Sequence, residues 1–103
     1  MYQLTRLPNG LTVATAEMSH MQSVSLGIWV NSGGRYESAE LNGASHFIEH
    51  LLFKGTRRRS ARRISQEVEG AGGYLNAFTA EEQTCFHARA SHDRFDLVLD
   101  VLV

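Results

Sequence analysis

A chain of 103 residues, 43% apolar and 20% charged, has the make-up of a globular domain with a modest core. Eleven acidic side chains against ten basic ones leave a net charge of −1, so no global field selects a nucleic acid, an anionic membrane or an acidic substrate. The one cysteine, Cys85, rules out an internal disulfide, and no run approaches the ~18 consecutive apolar residues of a membrane span.

The start, MYQLTRLPNG, lacks the charged head, apolar run and cleavage site of a secretory signal. It reads as a mature start, and the cytoplasm is the expected compartment. Gln3 to Leu7 and Leu11 to Ala16 are β-prone runs around Pro8-Asn9-Gly10, which together predict a hairpin. Ser23 to Asn31 alternates, with Val24, Leu26, Ile28 and Val30 on one face and Ser25, Gly27, Trp29 and Asn31 on the other. NSGGRYES is a glycine-containing loop. A helix is expected from near Asn42 to Gly55, a residue suited to the left-handed position past a helix end. Ser60 can cap a second helix with Ile64 and Val68 as its buried stripe and Gly70 at its end. GGYLNAFT and QTCFHARA read as strands joined by Ala80-Glu81-Glu82, and Ser91 can cap a last helix, HDRFDLVLDVLV. The order βββ, αα, ββ, α predicts an α+β fold, an antiparallel or mixed sheet with helices packed on one face. The last helix stops on Val101, Leu102 and Val103 without a cap, a basic turn or a glycine, which predicts a chain cut short or one that docks elsewhere.

Within ASHFIEHLLFKGT, His46, Glu49 and His50 fall within an arc of about 100° on one helix face. Two imidazoles one turn apart can close on a single Zn²⁺ at ~2.0–2.1 Å. Glu49 is too close in sequence to His50 to be an easy third ligand, and is well placed to take a proton from water. That is the division of labour in a zinc hydrolase, with metal lowering the pKa of water and a carboxylate as general base. Burying three such groups unpaired beside Phe47, Ile48, Leu51, Leu52 and Phe53 would cost several kcal/mol, so a metal or a polar cleft is the economical explanation.

His46-Phe-Ile-Glu49-His50 followed by LLFKGT resembles the inverted zinc-binding motif of the M16, pitrilysin-type metallopeptidases, the inverzincins. LPNGLTV, GIWVNSGGRYE and GGYLNAFTAEEQTCF continue the likeness in the family's order and spacing, so it covers essentially the whole chain. Its flavour is that of the shorter bacterial members and of the mitochondrial processing peptidase β-subunit. The resemblance implies the first half of a LuxS/mitochondrial-processing-peptidase-like metalloenzyme domain, so that residues 1–103 are the incomplete N-terminal part of a peptidase domain. It implies His46 and His50 as zinc ligands, Glu49 as catalytic base, and Asn76 and Ala77 on an edge strand where an extended peptide adds by main-chain hydrogen bonds. It also implies a third ligand, a glutamate about 75–80 residues after the first histidine, whereas Val103 is only 57 residues after His46. A homologous second domain or partner subunit, as in a dimer, is implied as well. The fragment alone is expected to bind zinc weakly and hydrolyse little.

Other patterns carry blander readings. Lys54, Arg57, Arg58, Arg59, Arg62 and Arg63 form a basic run, but no aromatic residues interleave for base stacking. A solvated helix start is expected there and no nucleic-acid partner. Cys85 and His87 share a strand face, yet a His₂Cys zinc site like that of S-ribosylhomocysteine lyase would need a longer spacing from His50, so Cys85 reads as a buried thiol. His20 and His92 take no role. The alternative to an enzyme is a non-catalytic partner or core subunit of an M16-like assembly, which would have no chemical reason to keep His46, Glu49 and His50 together.

Overall fold

Pro8-Asn9-Gly10 turns the chain tightly in the computed structural model, which describes residues 2–103. Gly10 takes a positive φ of 92°, and the Asn9 side-chain oxygen accepts the Leu11 N–H at 3.0 Å. The strands that the turn joins, β1 (Tyr2–Arg6) and β2 (Thr12–Ala16), pair antiparallel in a two-stranded sheet of their own. A second, three-stranded sheet has the order β3-β5-β4, from β3 (Ser23–Val30), β4 (Tyr74–Thr79) and β5 (Thr84–Ser91), and is antiparallel throughout. Between β3 and β4 run α1 (Ala44–Leu52) and α2 (Ala61–Gly70), and α3 (Phe95–Leu102) follows β5. The fold is α+β, with the helices on one face of the larger sheet.

Register decides which face that is. Leu26 and Leu75 both lie opposite Ala88, and these side chains pack with Ala90 and with Val98 of α3. The two alanines, each 3% exposed, leave room for the helix to sit close to the sheet. Ser60 caps α2 as expected, its Oγ accepting the Arg63 N–H at 3.1 Å, and Ile64 and Val68 are buried. The opposite face carries Tyr74, Phe78, His87 and Trp29. Trp29 and Phe78 meet edge-on, ring centroids 5.6 Å apart, across the buried Cys85, whose thiol pKa is raised by its burial.

Two local expectations differ. The first helix stops at Leu52, short of Gly55; Gly55, at φ 124°, instead pairs with Ser60 to close a tight loop before α2. Ser91 makes no side-chain cap, because the chain passes through a single 3-10 turn, His92–Arg94, before α3. Val30 lies on the same face of β3 as Val24, Leu26 and Ile28, as expected, and at the end of the strand is 43% exposed.

The surface is large for the mass. It measures 8149 Å², whereas a compact monomer of 11.5 kDa exposes about 5,800 Å². The radius of gyration, 15.2 Å, likewise exceeds the ~13 Å of a compact chain of this length. No described helix is long and apolar enough to cross a membrane.

Candidate metal centre

The centre is built on α1, whose start has no capping side chain of its own. Gly43 occupies the cap position at φ 88°, a conformation that disfavours any residue with a Cβ. The missing acceptor comes from Glu37, whose two carboxylate oxygens take the Gly43 N–H at 2.8 Å and the Ser45 N–H at 2.6 Å. Hydrogen bonds from Ser45, its backbone N–H first, and then from the Gly43 N–H hold the Glu37 carboxyl below the usual carboxylate range.

One turn into the helix, His46 and His50 bring their Nε2 atoms within 3.0 Å, the rings inclined at 78°. A Glu49 carboxylate oxygen completes a set of three donor atoms that all lie within 4.8 Å of one another. Two nitrogens at ~2.0–2.1 Å from a tetrahedral ion stand about 3.3 Å apart, so the pair needs little adjustment to share one. Imidazole donors suit zinc, as they suit copper, iron and nickel. The expected desolvation pressure is weaker than the sequence suggested. Phe47, Ile48, Leu51 and Leu52 are 48–64% exposed, and both imidazoles are exposed with them. Geometry, rather than burial, makes the case for a cation. Glu49 is half-buried and accepts a hydrogen bond from the Thr79 hydroxyl at the end of β4.

A cleft of about 550 Å³ opens beside this set, lined by His46, Glu49, Glu37, Ala77, Thr79 and Glu81 among others. β4 is an edge of its sheet. The Ala80 N–H bonds the Gln83 carbonyl at 2.8 Å, and hydrogen-bonded pairs alternate along an antiparallel ladder. The main-chain groups of Leu75, Ala77 and Thr79 therefore face the free edge. Consistent with this, the Ala77 N–H is taken by the Asn76 side-chain oxygen at 2.8 Å. Side-chain alternation sends Ala77 and Thr79 to the α1 side and Asn76 to the other. Of the two residues expected at a peptide edge, Ala77 lines the cleft, while Asn76 is exposed and meets only the edge.

The loop after β3 walls the cleft by docking on the β4–β5 turn. The Arg35 N–H bonds the Glu81 carbonyl at 2.7 Å, the Thr84 hydroxyl donates to the Ser32 carbonyl at 2.7 Å, and Arg35 pairs with Glu82. Contact is so close at Gly33 that a Cβ there would lie 2.2 Å from the Ala80 carbonyl oxygen. Sequence reasoning missed Glu37, Thr79 and Gly33. The one available signal was a helix starting after a glycine that cannot cap it. Lys54, Arg57, Arg58, Arg62 and Arg63 of the basic run are exposed as expected, and Arg59 is the exception. Arg59, its side chain only 12% exposed, binds Glu67 of α2 and, at 2.7 Å, Asp100 of α3.

A family model described as insulinase (peptidase family M16) matches residues 12–103. The chain is 45% identical over 100 residues to a probable mitochondrial-processing peptidase subunit beta of Arabidopsis thaliana, covering 97% of this chain and 19% of that protein. It is 48% identical over 98 residues to an uncharacterized zinc protease of Streptomyces coelicolor, covering 95% of this chain and 21% of that one. Among solved structures, a protease from Helicobacter pylori superposes with a TM-score of 0.91 at 26% identity, over 99% of this chain and 25% of the other. The chain thus spans about a fifth to a quarter of the length of these relatives.

Proposed function

Because the chain belongs to the insulinase (M16) peptidase family, we propose that it is the N-terminal part of a zinc-dependent endopeptidase, contributing the first half of the active site. The observation that carries this is the set of three donor atoms within 4.8 Å, set on a cleft beside an open strand edge. His46 and His50 would hold the metal, and a glutamate beyond Val103 would complete the ligands. When bound, zinc supplies a water of lowered pKa and polarises the scissile carbonyl. Glu49 takes the proton from the attacking water and passes it to the leaving amine. An extended peptide lies along residues 73–79, its main chain bonding the outward groups of Leu75, Ala77 and Thr79. For that to happen the Asn76 side chain must release the Ala77 N–H, so Asn76 acts at the edge rather than inside the cleft.

A homologous second domain or a partner subunit closes the site. Its support is the excess exposed surface, together with the length of the relatives and the naming of one of them as a beta subunit. On this view the 103 residues alone turn over little peptide. The test is Glu49→Gln in the full-length protein. Turnover falls by at least about a hundredfold, the range set by losing a general base, while zinc content is unchanged. Full activity in that variant would remove Glu49 from the mechanism and the reading with it.

A further inference from the structure

Thr79 is the last residue of β4, and its hydroxyl donates to the Glu49 carboxylate across a sequence separation of 30 residues. We infer that Thr79 is a positioning residue for the catalytic base, an inference that rests on the peptidase reading given above. A glutamate side chain has three rotatable bonds and is costly to order. A base acts only from within hydrogen-bond reach of the proton it removes. By donating to Oε2, the Thr79 hydroxyl fixes the carboxylate and leaves the lone pairs of Oε1 to accept from water.

The location adds a second function to the contact. The side chain of Thr79 faces α1 while its main-chain groups face the free edge, as do those of Ala77 two residues earlier. One strand therefore holds the base through a side chain and presents its backbone to the peptide. Distance from edge to base is then set within β4 and α1, and does not depend on the loops around them. A threonine suits both tasks: its β-branched shape favours a strand, and its hydroxyl supplies the donor. Serine would keep the donor, valine only the shape.

The experiment compares Thr79→Val, Thr79→Ala and Thr79→Ser with Glu49→Gln in the full-length protein. Thr79→Val and Thr79→Ala are expected to lower kcat by about ten- to a hundredfold, a part of the general-base contribution, with KM within about twofold and zinc affinity unchanged. Thr79→Ser restores kcat to within about threefold of the parent, because it returns the donor. A metal-free crystal structure of Thr79→Val reads the same point without turnover, and the Glu49 carboxylate there leaves its present position. Three results would overturn the inference: undiminished kcat in both Thr79→Val and Thr79→Ala, a Thr79→Ser variant as impaired as they are, or an unmoved Glu49. Loss of zinc in Thr79→Val and Thr79→Ala would also overturn it, by making the role structural. If Glu49→Gln keeps its activity the peptidase reading fails; if Glu49→Gln is dead while Thr79→Val and Thr79→Ala are both fully active, only the role of Thr79 fails.

Discussion

Glu37 does for α1 what Gly43 cannot. Its two oxygens each accept one N–H at the head of the helix, and the second of these belongs to Ser45, the residue before His46. Glu37→Gln keeps the shape but leaves only one accepting oxygen. Amide exchange at Ser45 to Phe47 should therefore quicken, and zinc binding should weaken by roughly three- to tenfold, the size of a lost cap. Unchanged exchange together with unchanged affinity would show that α1 holds its start without Glu37. At this scale the sequence was informative where helix geometry alone acts. His46, Glu49 and His50 share a face because 3.6 residues make a turn, whatever the rest of the fold does. Glu37 stayed hidden because its partners lie 6 and 8 residues on, across a loop with no period, and Thr79 because its partner is 30 residues away and meets it only once the sheet is built.

Elements were legible to the degree that their own patterns fix them. Alternation found β3, Ser60 found the start of α2, and the polar link between β4 and β5 found their hairpin. Gly55 misled because a glycine at positive φ serves a loop as readily as a helix end, and only the bridge to Ser60 distinguishes the two. The core that joins these elements is thin. Among the described residues, its buried apolar members on the helix side are Ile64, Val68, Ala88, Ala90 and Val98, two of them small. Val68, 2% exposed, is among the largest side chains fully enclosed, on a helix that contacts both α3 and β4. Val68→Ala is thus expected to destabilise the chain by about 2 kcal/mol, from lost transfer energy and an unfilled cavity. Denaturant unfolding measures this, and a loss well under ~0.5 kcal/mol would mean the site is not part of a packed core. The ion-paired brace of Arg59 with Glu67 and Asp100 links α2 to α3 across the same region.

For the whole molecule, surface dominates. An exposure of 8149 Å² with so few enclosed side chains describes a chain that leaves much apolar area to be covered. The β1–β2 hairpin is the extreme case, with every residue but Val13 exposed. An isolated two-stranded hairpin is marginal in water. Its amides should exchange fastest of all the strands in the 103-residue chain, and protection there equal to that of β5 would contradict the arrangement. Acid adds a further expectation. Glu37 is held low chiefly by the Ser45 N–H, Asp93 by the Ser91 side chain, and Glu67 and Asp100 by Arg59. Carboxyls with lowered folded pKa stabilise the fold above the ordinary carboxylate range, and that contribution disappears as pH falls through their lowered values. The thermal midpoint should accordingly drop below about pH 4.5, and a midpoint constant down to strong acid would show that these contacts carry no stability.

The proposed function turns on His46 and His50 sharing one metal ion, which zinc X-ray absorption on the full-length protein reads at the ion itself. One zinc per chain with two imidazole nitrogens at ~2.0–2.1 Å is expected, as is loss of that ion when either histidine is replaced by alanine. A zinc held at full occupancy by His46→Ala or His50→Ala, or a first shell without two imidazoles, would contradict it.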